Sequence, residues 1–237
     1  ARIPVTAWLL LPKDQGYWFN LDNSAHASMF YGKFTQWTKQ HDLIWERIGL
    51  DIEPDIREFQ SISKAPYQSL IRIIKKGFNS QRLAHAIMDY RALITTIHAD
   101  GYPVEIYHFP FIIDERKMGS TFLQRLTGIL DLTSDREILM LYSSAFPAYG
   151  DAVLSSYASD AQAIGVGSTG GGVQIDNKAI IPTMSWDHLH RDLLIARGWN
   201  KPIYIFSLEG CLRHDYFSRI ESIDWGQLPD RKSTRLN

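Results

Sequence analysis

Short apolar runs alternate with stretches of helical periodicity along almost the whole chain, and nothing between them reads as a tight hairpin. The runs are VTAWLLL (5–11), RIGLDIE (47–53), PVEIYHF (103–109), EILMLYS (137–143), AIGVGS (163–168) and PIYIFSLE (202–209). They are rich in Val, Ile, Leu, Phe and Tyr, as strands buried on both faces are. Between them, Phe30, Phe34, Trp37 and His41 recur at helical spacing and predict a helix over 27–42. Leu83, Ile87, Tyr90, Ile94 and Ile97 predict another over 80–98. Further helices are expected near 66–77, 119–131, 151–162 and 215–224, and Ser185 is placed to cap one running to Gly198. Strand, helix, strand without hairpins means parallel βαβ units.

Two α/β architectures accept this order, a doubly wound sheet and a (β/α)8 TIM barrel. The barrel is favoured because polar residues follow almost every strand, and a barrel gathers its active site at those ends. A doubly wound sheet would concentrate them at one crevice. The 237 residues, 45% hydrophobic and 22% charged, suit one domain, and residues 1–229 are read as a single partial barrel. The formal net charge of −1 gives no basic surface for nucleic acid. Cys211 alone supports neither an internal disulfide nor a cysteine-rich zinc site. No apolar run approaches the roughly 20 residues of a membrane span. The C-terminal DRKSTRLN (230–237) resembles the translation of a common sequencing adapter and is expected to be a non-native tail.

The acidic end of the second run is the main candidate site. Side chains alternate along a strand, so Gly49, Asp51 and Glu53 share one face and Ile48, Leu50 and Ile52 the other. In a barrel the apolar set packs on the helices, and the acidic set points to the axis and the mouth. Two carboxyls held so close repel each other, and burial adds to the effect. One pKa then rises, which is how a general acid stays protonated near neutral pH.

GLDIE resembles the end of the fourth strand in chitinase-like (family 18) glycoside hydrolases, whose motif reads D-G-x-D-x-D-x-E. The last Asp and the Glu fall on Asp51 and Glu53. The earlier acidic and glycine positions fall on Glu46, Arg47 and Gly49, so the likeness is a D-x-E core. It implies that Glu53 protonates the glycosidic oxygen while Asp51 orients a 2-acetamido group that attacks the anomeric carbon, an exception to the two-carboxylate scheme. It also makes VTAWLLL the third barrel strand and PIYIFSLE the eighth, with two strands expected before Ala1. A Met-x-Tyr in the family's sixth strand resembles Met140 to Tyr142, which implies that Tyr142 bonds the reacting acetamido group.

Other strand ends add candidates. Tyr17, Trp18 and Asn20 suit a sugar platform, with flat rings beside an amide. His108, Glu115 and Arg116 follow the third run. There Glu115 or Asp114 would be a second carboxylate, Arg116 would bind an acidic substrate group, and no metal-site spacing is present. Ser168 and Thr169 open a glycine-rich loop to Gly172 that lacks the P-loop lysine and the dinucleotide spacing, so no cofactor is expected. Glu209, by strand parity, would enter the same mouth as Glu53. The leading expectation is a glycosidic-bond hydrolase with a carbohydrate substrate. A non-catalytic carbohydrate-binding barrel, and an enzyme taking a phosphorylated substrate through Ser168–Gly172, remain alternatives.

Overall fold

The computed structural model describes residues 3–58, 79–146, 148–175, 178–179 and 181–226. The helix expected near 66–77 and the tail at 230–237 lie outside them. The chain divides into two compact units, residues 1–137 and 138–237. Each is a parallel α/β arrangement.

The first unit runs β1 (Thr6–Leu9), α1 (Ser24–Gln40), β2 (Arg47–Asp51), α2 (Ser80–Ala99), β3 (Val104–His108), α3 (Ile112–Met118) and α4 (Phe122–Thr127). β1 pairs with β2 and β2 with β3, all parallel, with Trp8 opposite Gly49 and Asp51 opposite Tyr107. The core lies on one side of these strands. Ala7, Leu9, Ile48, Leu50, Ile52, Val104 and Ile106 pack there with Ala27 and Tyr31 of α1 and Leu83, Ala86, Tyr90, Leu93 and Ile97 of α2. The apolar parity of the strands therefore faces the helices, as expected.

α2 buries Leu83, Tyr90, Ile94 and Ile97 of the predicted stripe with Ile87 partly covered, and Asn79 caps it by accepting from the Arg82 amide. α1 turns differently. Its buried positions are Ser24, Ala27, Tyr31 and Thr38, while Trp37 is 47% exposed. The cause is aromatic: Phe34 and Trp37 pair with Trp45 at ring separations of 5.9 and 6.4 Å, forming a cluster beside the helix rather than beneath it.

The second unit takes up β4 (Arg136–Met140) from Ile138. It continues with α5 (Gly150–Tyr157), β5 (Ala163–Gly167), the hairpin strands β6 (Gln174–Ile175) and β7 (Lys178–Ala179), and α6 (Trp186–Arg197). β8 (Ile203–Phe206), α7 (Leu208–Arg213) and α8 (Tyr216–Glu221) complete it. β4 pairs with β5 and β5 with β8, again parallel. Ser185 caps α6 through the His188 amide, as its position predicts. The small antiparallel pair β6–β7 breaks the hairpin-free expectation. Two further differences matter for the site. Residues 112–118 are helical rather than loop, and the last strand stops at Phe206 so that Glu209 lies in α7. Among the described residues, no helix is long and apolar enough to cross a membrane.

Candidate functional site

The end of β2 is gripped from both sides. The chain leaves β1, turns through a 3-10 turn at Lys13–Gln15 and comes back, so that Leu11 donates to the Tyr17 carbonyl. Phe19 then bridges Ile52 in parallel: its amide donates to the Asp51 carbonyl at 3.0 Å, and its carbonyl accepts from Glu53 at 3.1 Å. On the other side Ile52 donates to the Tyr107 carbonyl. Ile52 is fully buried. Asp51 and Glu53 are therefore fixed on the side of the strand away from the core.

Asp51 is 3% exposed, and Glu53 keeps part of its surface open. Their carboxyls hydrogen-bond to each other. Burial raises the Asp51 carboxyl to about 7, against the pull of hydrogen bonds from Glu53 and from Trp8. Glu53 is pushed well above the usual range by burial, by the Asp51 charge, and by donating its own proton to Asp51. Both carboxyls are raised, so the pair keeps a proton well above the ordinary carboxylate range. An acid with its conjugate partner beside it is the equipment for protonating a leaving oxygen. Asp51 Oδ1 is buried without a hydrogen-bond partner, an acceptor left open at the site.

The same face carries Thr6, Trp8, Arg47, Gly49, Glu105 and Tyr107. At its foot Glu105, wholly buried, forms ion pairs with Arg47 at 3.4 Å and Arg136 at 3.2 Å. Tyr107 lies over Gly49. A Cβ on Gly49 would stand 3.0 Å from Tyr107 Cε2 and 3.3 Å from its hydroxyl. The Tyr107 ring takes the space that a side chain at position 49 would need.

The predicted sugar platform takes a different place. Phe19 enters the core, and Trp18 is only 5% exposed, edge-on to Tyr17. Asn20 is consumed locally, donating to the Trp18 carbonyl at 3.0 Å and accepting from the Asp22 amide at 2.9 Å. Tyr90 anchors the turn by donating to the Asn20 carbonyl and to Asn23. Tyr17 remains half-buried, with a left-handed backbone at φ 66°. This loop braces Glu53. The exposed indole beside the acidic pair is Trp8, 41% exposed.

His108, Glu115 and Arg116 stand apart from the pair. His108 shares the parity of Val104 and Ile106, so it lies on the core side of β3. Its Nδ1 meets Glu137 at 2.6 Å. Arg116 forks onto Glu137 and Asp131, with bonds of 2.5–2.9 Å. Burial raises the Glu137 carboxyl, but hydrogen bonds and charge from His108 and Arg116 prevail and bring it to about 2. Ligand-type atoms of His108, Asp131 and Glu137 lie within 4.8 Å of one another. The Arg116 guanidinium supplies the positive charge between the two carboxylates. Glu115, buried, accepts from the amides of Leu123 and Gln124 and so holds the start of α4; it is a helix cap rather than a second carboxylate for Glu53.

In the second unit Tyr142 stacks on Phe206 at 5.7 Å. Ser168 and Thr169 are fully buried. The Ser168 amide donates to Ser144 Oγ. Thr169 Oγ1 donates to the Ser207 carbonyl and accepts from the Ser207 amide, both at 2.8 Å. The glycine-rich loop is thus sewn to the end of β8. Glu209 is exposed on the first turn of α7, and a Cβ on Gly170 would be 3.4 Å from its Oε1. A carboxylate beside Gly170 repels a phosphate.

No family model matches the chain, and no curated protein matches it by sequence. Among solved structures, it is similar to the glycoside hydrolase domain of PgaB (BpsB) from Bordetella bronchiseptica. The TM-score is 0.53 at 10% identity, over 92% of this chain and 74% of that one. The fold is glycoside-hydrolase-like. At that identity the likeness concerns the path of the backbone.

Sequence reasoning missed Trp8 and Tyr107. Both were legible in principle, since strand parity and parallel register place them around Gly49 and Asp51. The register itself is the information that a single strand does not contain.

Proposed function

We propose that this chain is a carbohydrate-active barrel of the glycoside hydrolase kind, in which Glu53 protonates the glycosidic oxygen and Asp51 is its ionised partner. What supports it is the buried carboxyl pair at the end of β2, in which both groups are raised above the ordinary carboxylate range. The fold likeness agrees with the reading. A protonated acid donates to the leaving oxygen as the bond to the anomeric carbon breaks. Asp51, with its open Oδ1, is suited to accept an N–H from the substrate and to stabilise the charge that develops. In the chitinase-like version that N–H belongs to a 2-acetamido group, whose carbonyl oxygen is the nucleophile.

The test compares wild type and Glu53→Gln on aryl glycosides and on N-acetylated and plain oligosaccharides. Turnover in the wild type, reduced by roughly 10²–10⁴-fold in the variant, is the expected result. Dependence on the 2-acetamido group identifies substrate assistance. Absence of turnover on every sugar, by folded wild-type protein, overturns the hydrolase reading. One observation favours a second reading, a barrel that binds glycans without cleaving them: Gly49 stands where the resembled motif has an acid, and Tyr107 fills the place. Glycan binding that survives Glu53→Gln without turnover in either protein establishes it.

A further inference from the structure

Resting on the reading above, we propose that Asp55 and Arg57 are positioning residues of the Asp51–Glu53 site: they clasp the segment that follows β2 onto the loop that follows β1, and so fix the backbone that carries Glu53.

Glu53 stands where the chain leaves the sheet. Ile52 still bonds β3 through the Tyr107 carbonyl, and Glu53 bonds the returning loop through the Phe19 carbonyl. The next residue, Pro54, has no amide hydrogen to give. A hold on Glu53 from its C-terminal side must therefore come from Asp55 onward.

Asp55, Ile56 and Arg57 supply it. Asp55 is 5% exposed, and its Oδ1 accepts from the Arg57 amide at 2.8 Å, which caps the turn that starts there. The Ile56 amide donates to the Gly16 carbonyl at 3.2 Å, and the Ile56 side chain is buried. Arg57 forks onto Asp55, with Nε at 2.9 and 3.0 Å from the two carboxylate oxygens and Nη2 bonded to Oδ2. Its Nη1 donates to the Asp14 carbonyl at 2.7 Å. A guanidinium presents its donors in a rigid plane, so one side chain joins the two segments at a fixed spacing. Gly16 takes part by being bare. Its φ is 108°, and a Cβ there would stand 3.2 Å from Asp55 Oδ2 and 2.9 Å from Asn23 Nδ2. The contacts run in step outward from the strand: Phe19 with Ile52, Gly16 with Ile56, Asp14 with Arg57. An exposed ion pair by itself adds little. This one has its carboxylate buried and its guanidinium tied to a second loop. A reacting group must be held to a fraction of an ångström to work at full rate, and Glu53 lies inside this zipper.

The clasp can be loosened from different sides. Arg57→Ala removes the fork, Asp55→Asn removes the charge it grips, and Gly16→Ala wedges the two segments apart. Arg57→Lys keeps the charge without the fork. Amide hydrogen exchange of the full chain reads the clasp directly. In Arg57→Ala the Ile56 and Glu53 amides exchange roughly tenfold faster or more, while the Ile48 amide, bonded to the Pro103 carbonyl at the far end of β2, keeps its rate. A ¹³C NMR titration of the carboxyl carbons reads the acidic pair as macroscopic steps. Loosening lets water reach Glu53, so the upper step moves down toward the ordinary carboxylate range. On a glycoside that the wild type turns over, kcat falls roughly ten- to a hundredfold with KM within about threefold, and Arg57→Lys recovers part of the loss. Glu137→Gln, which weakens a cluster apart from the pair, leaves the titration and kcat unchanged.

Unchanged exchange at Ile56 and Glu53 in Arg57→Ala overturns the clasp. Faster exchange with an unmoved titration reduces Asp55 and Arg57 to loop structure and overturns the positioning role, as does an unmoved kcat in an active enzyme. Wild type that turns over no sugar removes the hydrolase reading alone, because exchange and titration still decide the clasp. Should Arg57→Ala fail to fold, Arg57→Gln and Asp55→Asn replace it and are judged by the same outcomes.

Discussion

The carboxyls of Asp51 and Glu53 hydrogen-bond to each other across Ile52, whose side chain is wholly buried on the opposite side of the strand. Two residues apart on a strand is the shortest spacing that puts side chains on one face. Phe19 and Tyr107 hold the backbone on either side. The two carboxyls are thus held on one face, and both are raised above the ordinary carboxylate range.

Those shifts fix a pH profile. On the proposed reading, activity requires Glu53 protonated and Asp51 ionised. Asp51 titrates at about 7, so kcat/KM climbs as pH rises through that value. Glu53 is raised well above its ordinary range, and kcat/KM falls when it gives up its proton. Asp51→Asn removes the rising limb along with most of the activity. A rate profile from acid to alkaline pH checks this, and a rising limb near the ordinary carboxylate range contradicts it.

The same shift makes stability depend on pH. The folded Asp51 holds a proton from the ordinary carboxylate range up to about 7, where the unfolded chain has lost it. The folded state thus binds more protons, and stability falls as pH rises across that window. Below the window both states are protonated, and the term vanishes. Asp51→Asn abolishes it, so the variant's urea-unfolding free energy is flatter than wild type between roughly pH 4 and 7. Wild type and variant with parallel profiles would contradict the shift.

Gly49 and Tyr107 make a coupled pair. A Cβ at Gly49 comes within 3.0 Å of the Tyr107 ring and 3.3 Å of Thr6 Cγ2. Gly49→Ala therefore costs about 1–3 kcal/mol as overpacking. In a Tyr107→Ala background the space is empty and the cost shrinks. A double-mutant cycle by urea denaturation measures the difference, expected at about 0.5–3 kcal/mol for residues in contact. Additive effects would show that Tyr107 does not fill the space beside position 49.

How far the sequence could be read follows from these residues. The parallel strands, and the side of β2 on which Asp51 and Glu53 lie, were legible because period-2 alternation is a local signal. The α2 stripe was legible for the matching reason at helical period. Glu115 and His108 were not. A glutamate after a strand looks the same whether it meets substrate or caps the next helix, and only the amides of Leu123 and Gln124 decide it. His108 differs from a mouth residue by strand parity alone, and its partner Glu137 is 29 residues away. Glu209 was misplaced because the apolar run continues to Leu208 although the strand ends at Phe206.

The cluster around Glu137 has the opposite pH dependence. Its folded carboxyl is lowered to about 2 from 4.5, so the unfolded state binds the proton more readily as pH falls. The stabilisation is present above the ordinary glutamate range and is lost as pH drops toward 2. The shift corresponds to roughly 3 kcal/mol. Glu137→Gln removes this term and leaves Arg116 with Asp131 alone. Its acid-unfolding curve, followed by circular dichroism, is expected to lose the steep limb below roughly pH 4.5, with a lower plateau at neutral pH. Retention of the limb would place the acid-labile group elsewhere.

The junction of the glycine-rich loop with α7 is structural, and it can be broken without touching the acidic pair. Thr169 Oγ1 serves the Ser207 carbonyl and the Ser207 amide together, inside the second unit and out of water. Thr169→Val keeps the shape and removes both bonds. The buried Ser207 amide is then left with no acceptor, at about 1–3 kcal/mol. Thr169→Ser keeps the hydroxyl and recovers most of that loss. Gly210→Ala is more severe, because its Cβ would sit 2.3 Å from the Thr169 carbonyl carbon and 2.4 Å from the Gly170 nitrogen, and backbone does not yield as a side chain does. Overpacking of this kind costs about 1–3 kcal/mol and at times more. Thermal melts of the three variants are expected in the order Gly210→Ala lowest, Thr169→Val next and Thr169→Ser nearest wild type. Were the loop a phosphate lid instead, Thr169→Val would leave the melting temperature unchanged and abolish the stabilisation that added inorganic phosphate gives to the wild type.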